Sequence, residues 1–230
     1  MLILLPRIPG INYFCTVAIQ TNYIDELFPS IHIELQNAFE EQLPLSVRDI
    51  INLCGGMPAP NITNARVIIT PTYGSALNVK IKTDQYEVAR NMDFEIGRID
   101  NNYMHVEEKG KGIGTHLFLN QVQAALQHGF RRLYMVAFAP SDDLAWYGYY
   151  FWANLGFENA DIDEYRDWAA AMGRKEATLS ELMQSESGRE LWKNTGITWI
   201  GNFYLTKGHR CFDYLQMHLQ RKKIDFTLIE

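Results

Sequence analysis

Lys109-Gly110-Lys111-Gly112-Ile113-Gly114-Thr115 puts three glycines and two lysines at the point where an extended segment gives way to a helical one. Before it, a strand is expected within Phe94–Glu107, with Asp100-Asn101-Asn102 as either a turn or part of that strand. After it, apolar spacing predicts a helix from about Thr115 to His128, stopped by Gly129. The nearly unbroken apolar run Leu133–Ala139 then reads as a strand buried on both faces. Strand, glycine turn, helix and buried strand make a β-α-β crossover, an α/β signature. Glycine carries no Cβ, so the main chain can approach a ligand. The first-turn amides of the helix, unpaired within it, point at that ligand with the positive end of the helix dipole behind them. A turn of this kind suits a phosphate or pyrophosphate.

Three phosphate-binding patterns compete for it. A Walker loop needs Gly-Lys-Ser/Thr as the helix opens, but Ile113 and Thr115 flank Gly114 here. A dinucleotide fingerprint needs G-x-G-x-x-G, whereas this run is G-x-G-x-G. The third pattern is a basic residue or Gln, two residues, Gly, any residue and Gly or Ala. Lys109 through Gly114 resembles it, and it is the acyl-CoA pyrophosphate loop of the GCN5-related N-acetyltransferase superfamily. Two flanking stretches extend the resemblance. Tyr103-Met104-His105-Val106 is similar to that family's fourth strand, and Tyr149-Tyr150-Phe151-Trp152-Ala153-Asn154-Leu155-Gly156-Phe157 resembles its second signature, an aromatic helix ending in Gly-Phe. The two signatures span residues 97–157; outside them the resemblance rests on the order of strands and helices. There are departures. Where the family pattern has a Tyr this chain has Trp152, which donates no acidic proton, and Ala145 and Gly148 stand where Asn and Ala are usual.

The resemblance implies an α/β fold with a mixed, mostly antiparallel central sheet flanked by helices and splayed between its fourth and fifth strands. It implies acetyl-CoA as cofactor, bound through Met104, His105, Val106, Lys109, Gly110, Lys111, Gly112, Ile113, Gly114 and Thr115. The implied reaction is transfer of an acetyl group to an amine by direct attack on the thioester, with fourth-strand amides near Met104–Val106 as oxyanion donors. An amine is mostly protonated at neutral pH, so a base must take its proton. Glu95, Asp100, His105 and Glu107 are the candidates, and relay through ordered water is equally open. Tyr149, one helical turn from Trp152, is the substitute acid. His116 reads as a surface or cofactor-edge residue. Lys109 and Lys111 read as phosphate contacts or as a solubilising turn. The aromatic cluster Trp146–Trp152 reads as an acceptor wall or as a helix packed on all sides.

The rest of the chain bounds these readings. The 230 residues, 47% hydrophobic and 21% charged, suit a single folded unit. Lys+Arg 21 against Asp+Glu 27 leaves a net charge of −6, which argues against broad, sequence-independent nucleic-acid binding. Cys15, Cys54 and Cys211 lack paired spacing, so unreactive thiols in a reducing compartment are expected, with no metal site. Met1–Leu5 is too short for a membrane span and reads as an edge strand of a soluble, cytoplasmic protein. Asn12–Ile19 reads as a strand and Ser30–Leu43 as a helix closed by Pro44. Ser46-Val47-Arg48-Asp49 fits a capping box whose helix ends at Gly55-Gly56. Residues 57–64 read as a loop, and Ala65–Thr70 and Ser75–Thr83 as strands joined around Tyr73-Gly74.

Residues 161–195 read as a helical insertion, either a lid or acceptor wall or a packing element, before a strand at Ile197–Leu205. Residues 207–230 read as a helix followed by a terminal strand. The expected partners are a small-molecule or protein amine acceptor, with no nucleic acid and no membrane; a homodimer is compatible. Two alternatives stand beside acetyl transfer: a non-catalytic acyl-CoA-binding or protein-interaction module that kept the cofactor loop, and a nucleotide-phosphate site of another family.

Overall fold

The computed structural model describes residues 31–36, 43–56, 64–138 and 148–226. The readings at 1–30, 57–63 and 227–230 lie outside these residues, as do Cys15, Ala145, Trp146 and Tyr147. In chain order the elements are β1 (Ile31–Leu35), α1 (Val47–Leu53), β2 (Ala65–Pro71), β3 (Ala76–Thr83), β4 (Tyr86–Asp93), β5 (Arg98–Val106), α2 (Ile113–Gln127) and β6 (Arg132–Ala137). These are followed by α3 (Gly148–Asn154), β7 (Glu158–Asn159), α4 (Ile162–Ala171), α5 (Leu179–Leu182), α6 (Glu186–Thr195), β8 (Trp199–Tyr204) and α7 (Arg210–Lys222).

The eight strands form one mixed sheet in the order β1-β2-β3-β4-β5-β6-β8-β7. The β1–β2 and β5–β6 pairs are parallel and the other neighbours antiparallel, so the expected mixed, mostly antiparallel architecture holds. Among the described strands, the two that flank the glycine turn are β5 and β6, not the fourth and fifth. No helix of the described residues is long and apolar enough to cross a membrane.

Three expectations need correction. The run from Leu133 is not buried on both faces: Leu133, Met135 and Ala137 are buried, whereas Val136 and Phe138 are exposed. Residues 31–35 form a strand, not the start of a helix. Ile31, Ile33 and Leu35 alternate with His32 and Glu34, and pairing with β2 buries Ile33 and Leu35. Period two wins over the helical spacing once a partner strand is present. At the other end, Ile224–Phe226 take no strand assignment.

The Ser46 half of the capping box is present. The Ser46 hydroxyl accepts from the Asp49 amide at 3.2 Å and donates to the Asp49 carboxylate at 2.6 Å. At the other end of α1, side chains of α2 satisfy its last carbonyls: Gln121 donates to Leu53 and Asn120 to Gly55, each at 3.1 Å. Gly55 allows the approach, since a Cβ there would lie 2.6 Å from the Leu117 carbonyl oxygen. Because α1 is locked against α2, and Leu117, Phe118, Leu119 and Val122 are buried, the start of α2 is held at a fixed place beside the sheet.

The three-helix segment α4–α6 lies between β7 and β8, and local caps start each helix. Asp161, Thr178 and Ser185 accept from the amides of Glu164, Glu181 and Gly188. Its anchor is aromatic: Trp192 meets Trp168 edge-to-face at 4.7 Å and lies 6.5 Å from Trp199.

Candidate active site

β6 runs parallel to β5 over only four residue pairs, Arg98–Asn101 against Arg132–Met135. Beyond them, among the described residues, β5 continues to Val106 in partnership with β4 alone. The sheet therefore opens along Tyr103–Val106. The divergence begins at a β-bulge. Ala89 pairs with Tyr103 and Arg90 with Asn101, leaving Asn102 as an extra residue.

The extra residue reverses the alternation. Ile99 and Asn101 share the buried face with their partners Met92 and Arg90, whereas beyond the bulge Met104 and Val106 take that face opposite Val88 and Tyr86. The main chain is reset as well. The Glu107 amide donates to the Gln85 carbonyl at 2.9 Å, on the β4 side. By the period of two, the N–H groups of Met104 and Val106 point away from β4, into the opening.

The glycine turn closes the end of this opening. Gly110 and Gly112 have φ of +84° and +80°, in the left-handed region that other residues rarely adopt. Gly112 is the N-cap of α2; among the described residues no side chain caps the helix, and its first turn holds no acid. The amides of Ile113, Gly114 and Thr115 thus have neither an intrahelical acceptor nor a side-chain cap. Gly114 has an ordinary φ but little room: a Cβ there would lie 3.3 Å from the Phe151 ring and 3.6 Å from the Met104 methyl. The start of α2, the open half of β5 and α3 therefore meet at one place. The His116 ring folds back to 3.7 Å from where a Gly112 Cβ would stand. Lys111 is ion-paired with Glu108.

The predicted acid and bases are not brought together. Glu95 lies in the turn joining β4 to β5, its amide bonded to Asp93, at the opposite end of β5 and roughly 25 Å from the glycine turn. Asp100 sits in the closed half of β5, paired with Arg98 at 2.7 Å. His105 and Glu107 lie on the open half and its exit, 3.7 Å apart. Tyr149 is buried. Its hydroxyl donates to the Lys193 carbonyl, and its own carbonyl accepts from the indoles of Trp199 at 3.0 Å and Trp192 at 3.3 Å. Two residues make about 200° on a helix, so Phe151, not Tyr149, faces the turn. Trp152 is core, 5.2 Å from Phe157 and 6.0 Å from Phe118.

A solved structure of a nourseothricin acetyltransferase is similar to this chain. The identity is 12%, over 59% of this chain and 69% of that one, with a TM-score of 0.34. No family model matches the chain, and no curated protein matches it. A likeness so slight carries no argument about function, which rests on the geometry above.

A second cluster of chemistry-bearing groups lies elsewhere. Glu158, His209 and Cys211 offer ligand atoms within 4.8 Å of one another. However, Glu158 is ion-paired with Arg210, and burial pushes the Cys211 thiol up to about 12. The His209 ring nitrogen caps α7 at the Cys211 amide. These contacts serve the start of α7. Cys54 is likewise buried, its thiol pushed up to about 12 by burial, which agrees with unreactive thiols at these two positions.

Proposed function

We propose that this chain is an acetyltransferase of the GCN5-related type, moving an acetyl group from acetyl-CoA to an amine of a small molecule or a protein. The observation that carries this reading is the uncapped start of α2, at a three-glycine turn, touching the unzipped half of β5. Phosphate oxygens would complete the amides of Ile113, Gly114 and Thr115, and Lys109 would add charge. The pantetheine arm, a chain of amides, would lie in the opening and take up main-chain groups that β6 does not pair.

The thioester supplies an activated acetyl carbonyl. In this reading the amides of Met104 and Val106 stabilise the oxygen of that carbonyl as charge develops on it. His105 with Glu107, on the open segment, takes the ammonium proton through water; Glu95 and Asp100 belong to the closed end of the strand. The amine nitrogen bonds to carbon as the C–S bond breaks, and the second proton of that nitrogen passes through water in the cleft to the departing thiolate. The Tyr149 hydroxyl is already committed to Lys193.

That commitment also favours the second reading, a CoA-binding module without turnover. Calorimetric titration with CoA and with ATP, followed by free-thiol release from acetyl-CoA across a panel of amines, separates them. Acetyl transfer predicts CoA binding in preference to ATP and turnover on at least one amine, with Tyr149→Phe within about threefold of wild type. Binding without turnover on any amine supports the module, and preference for ATP overturns both.

A further inference from the structure

Arg90 is 2% exposed, and among the described residues no carboxylate pairs with it. A buried, unpaired guanidinium is costly, so its position calls for a cause. Its Nη1 donates to the Ala89 carbonyl at 3.0 Å and to the Tyr103 carbonyl at 2.5 Å, the two residues that face each other across the bulge. Among the described residues its Nε has no hydrogen-bond partner, nor has either side-chain atom of Asn101, its cross-strand partner. The side chain therefore spends its hydrogen bonds on the main chain at the bulge.

We infer that Arg90 is a positioning residue: by clamping the Ala89 and Tyr103 carbonyls from the buried face, it holds the Asn102 bulge and so keeps the amides of Met104 and Val106 turned into the β5–β6 opening. The inference rests on the acetyl-transfer reading for its functional consequence. A β-ladder without the extra residue would exchange the amides that face β4 with those that face the opening, and would also turn Met104 and Val106 away from the glycine turn. Two charge-assisted bonds to carbonyls at that point oppose the exchange. The phosphate-binding end is made by other residues, so it does not depend on Arg90.

The test uses the full chain with Arg90→Met, which keeps the length, and Arg90→Lys, which keeps the charge. Amide hydrogen exchange is measured residue by residue, beside CoA affinity and the kcat and KM for a productive amine. The expected result for Arg90→Met is faster exchange confined to Tyr103–Val106, kcat lowered by about 10- to 100-fold and CoA affinity within about threefold. Arg90→Lys should recover part of the loss in kcat. Unchanged exchange at Tyr103–Val106 overturns the inference alone. Uniform loss of protection across β2–β5, with kcat and CoA affinity falling together, also overturns it, since that is the result of a merely structural role. If Arg90→Met does not fold, Arg90→Lys decides by the same exchange pattern. A wild-type chain that binds no CoA sinks the acetyl-transfer reading, while the exchange data still decide whether Arg90 holds the bulge.

Discussion

β6 has two sides, and they are built differently. Along one, β8 pairs with every residue from Arg132 to Ala137, and the seam is backed by Phe203, Trp199 and the aromatic cluster around Trp192. Along the other, β5 pairs for four residues and then departs at a bulge. Glycines sharpen the contrast. Gly156, on the closed side, is required by protein: a Cβ would lie 2.6 Å from the Cys211 carbonyl oxygen, at a φ of +88°. Around Gly110, on the open side, no atom of the described residues lies within 4 Å of a Cβ. A left-handed glycine pressed against backbone is explained by packing, whereas one facing open space just before an uncapped helix start leaves room for a ligand.

The comparison predicts that substitutions on the closed side cost stability and those on the open side cost ligand affinity. The largest effect is expected for Gly156→Ala, which combines a strained φ with a backbone clash. About 3 kcal/mol should be lost, roughly 10 °C in Tm, with CoA affinity of the folded fraction unchanged. Next is Gly112→Val at the start of α2. It should weaken CoA binding by about 100-fold in calorimetry, equivalent to about 2.7 kcal/mol, while Tm moves only a few degrees. A Tm loss matching that of Gly156→Ala, without loss of affinity, would erase the distinction.

The smallest effect is electrostatic and belongs to the closed side. His218 on α7 is lowered to about 4, mainly by burial and then by Arg221, Lys222 and Arg189. An unfolded imidazole titrates near 6.5, so between that pH and 4 the unfolded chain takes up a proton that the folded chain refuses. Stability is therefore full above pH 6.5 and falls toward pH 4, by about 2.5 kcal/mol from this group at pH 4.5. Denaturant titrations at pH 7 and pH 4.5 measure it, and a His218→Gln chain with the same slope would show that His218 is not the source.

Much of this architecture was legible in local chemistry. Ser46 and Asp49 announced α1 and Gly129 closed α2, because caps depend on neighbours in the chain. The glycine turn was legible for the same reason. β4 passed unread: in Tyr86-Glu87-Val88-Ala89-Arg90-Asn91-Met92-Asp93 the apolar alternation is broken by Arg90, a charge in an inward position. The helical reading of 31–35 failed because an apolar pattern this short satisfies either period until a partner strand chooses between them. The helical distance between Tyr149 and Trp152 says that two side chains share a face but not what that face meets.

The sequence by itself determined the glycine turn, the cap that opens α1 and the stop of α2 at Gly129, since each depends on residues a few positions apart. Tertiary structure alone decided that β5 leaves β6 after Asn101, that Asn102 is the extra residue, and that Met104 faces the turn while Tyr149 faces Lys193. Those outcomes depend on register between strands distant in sequence. A shift of one residue there reverses every face, and no local preference records it.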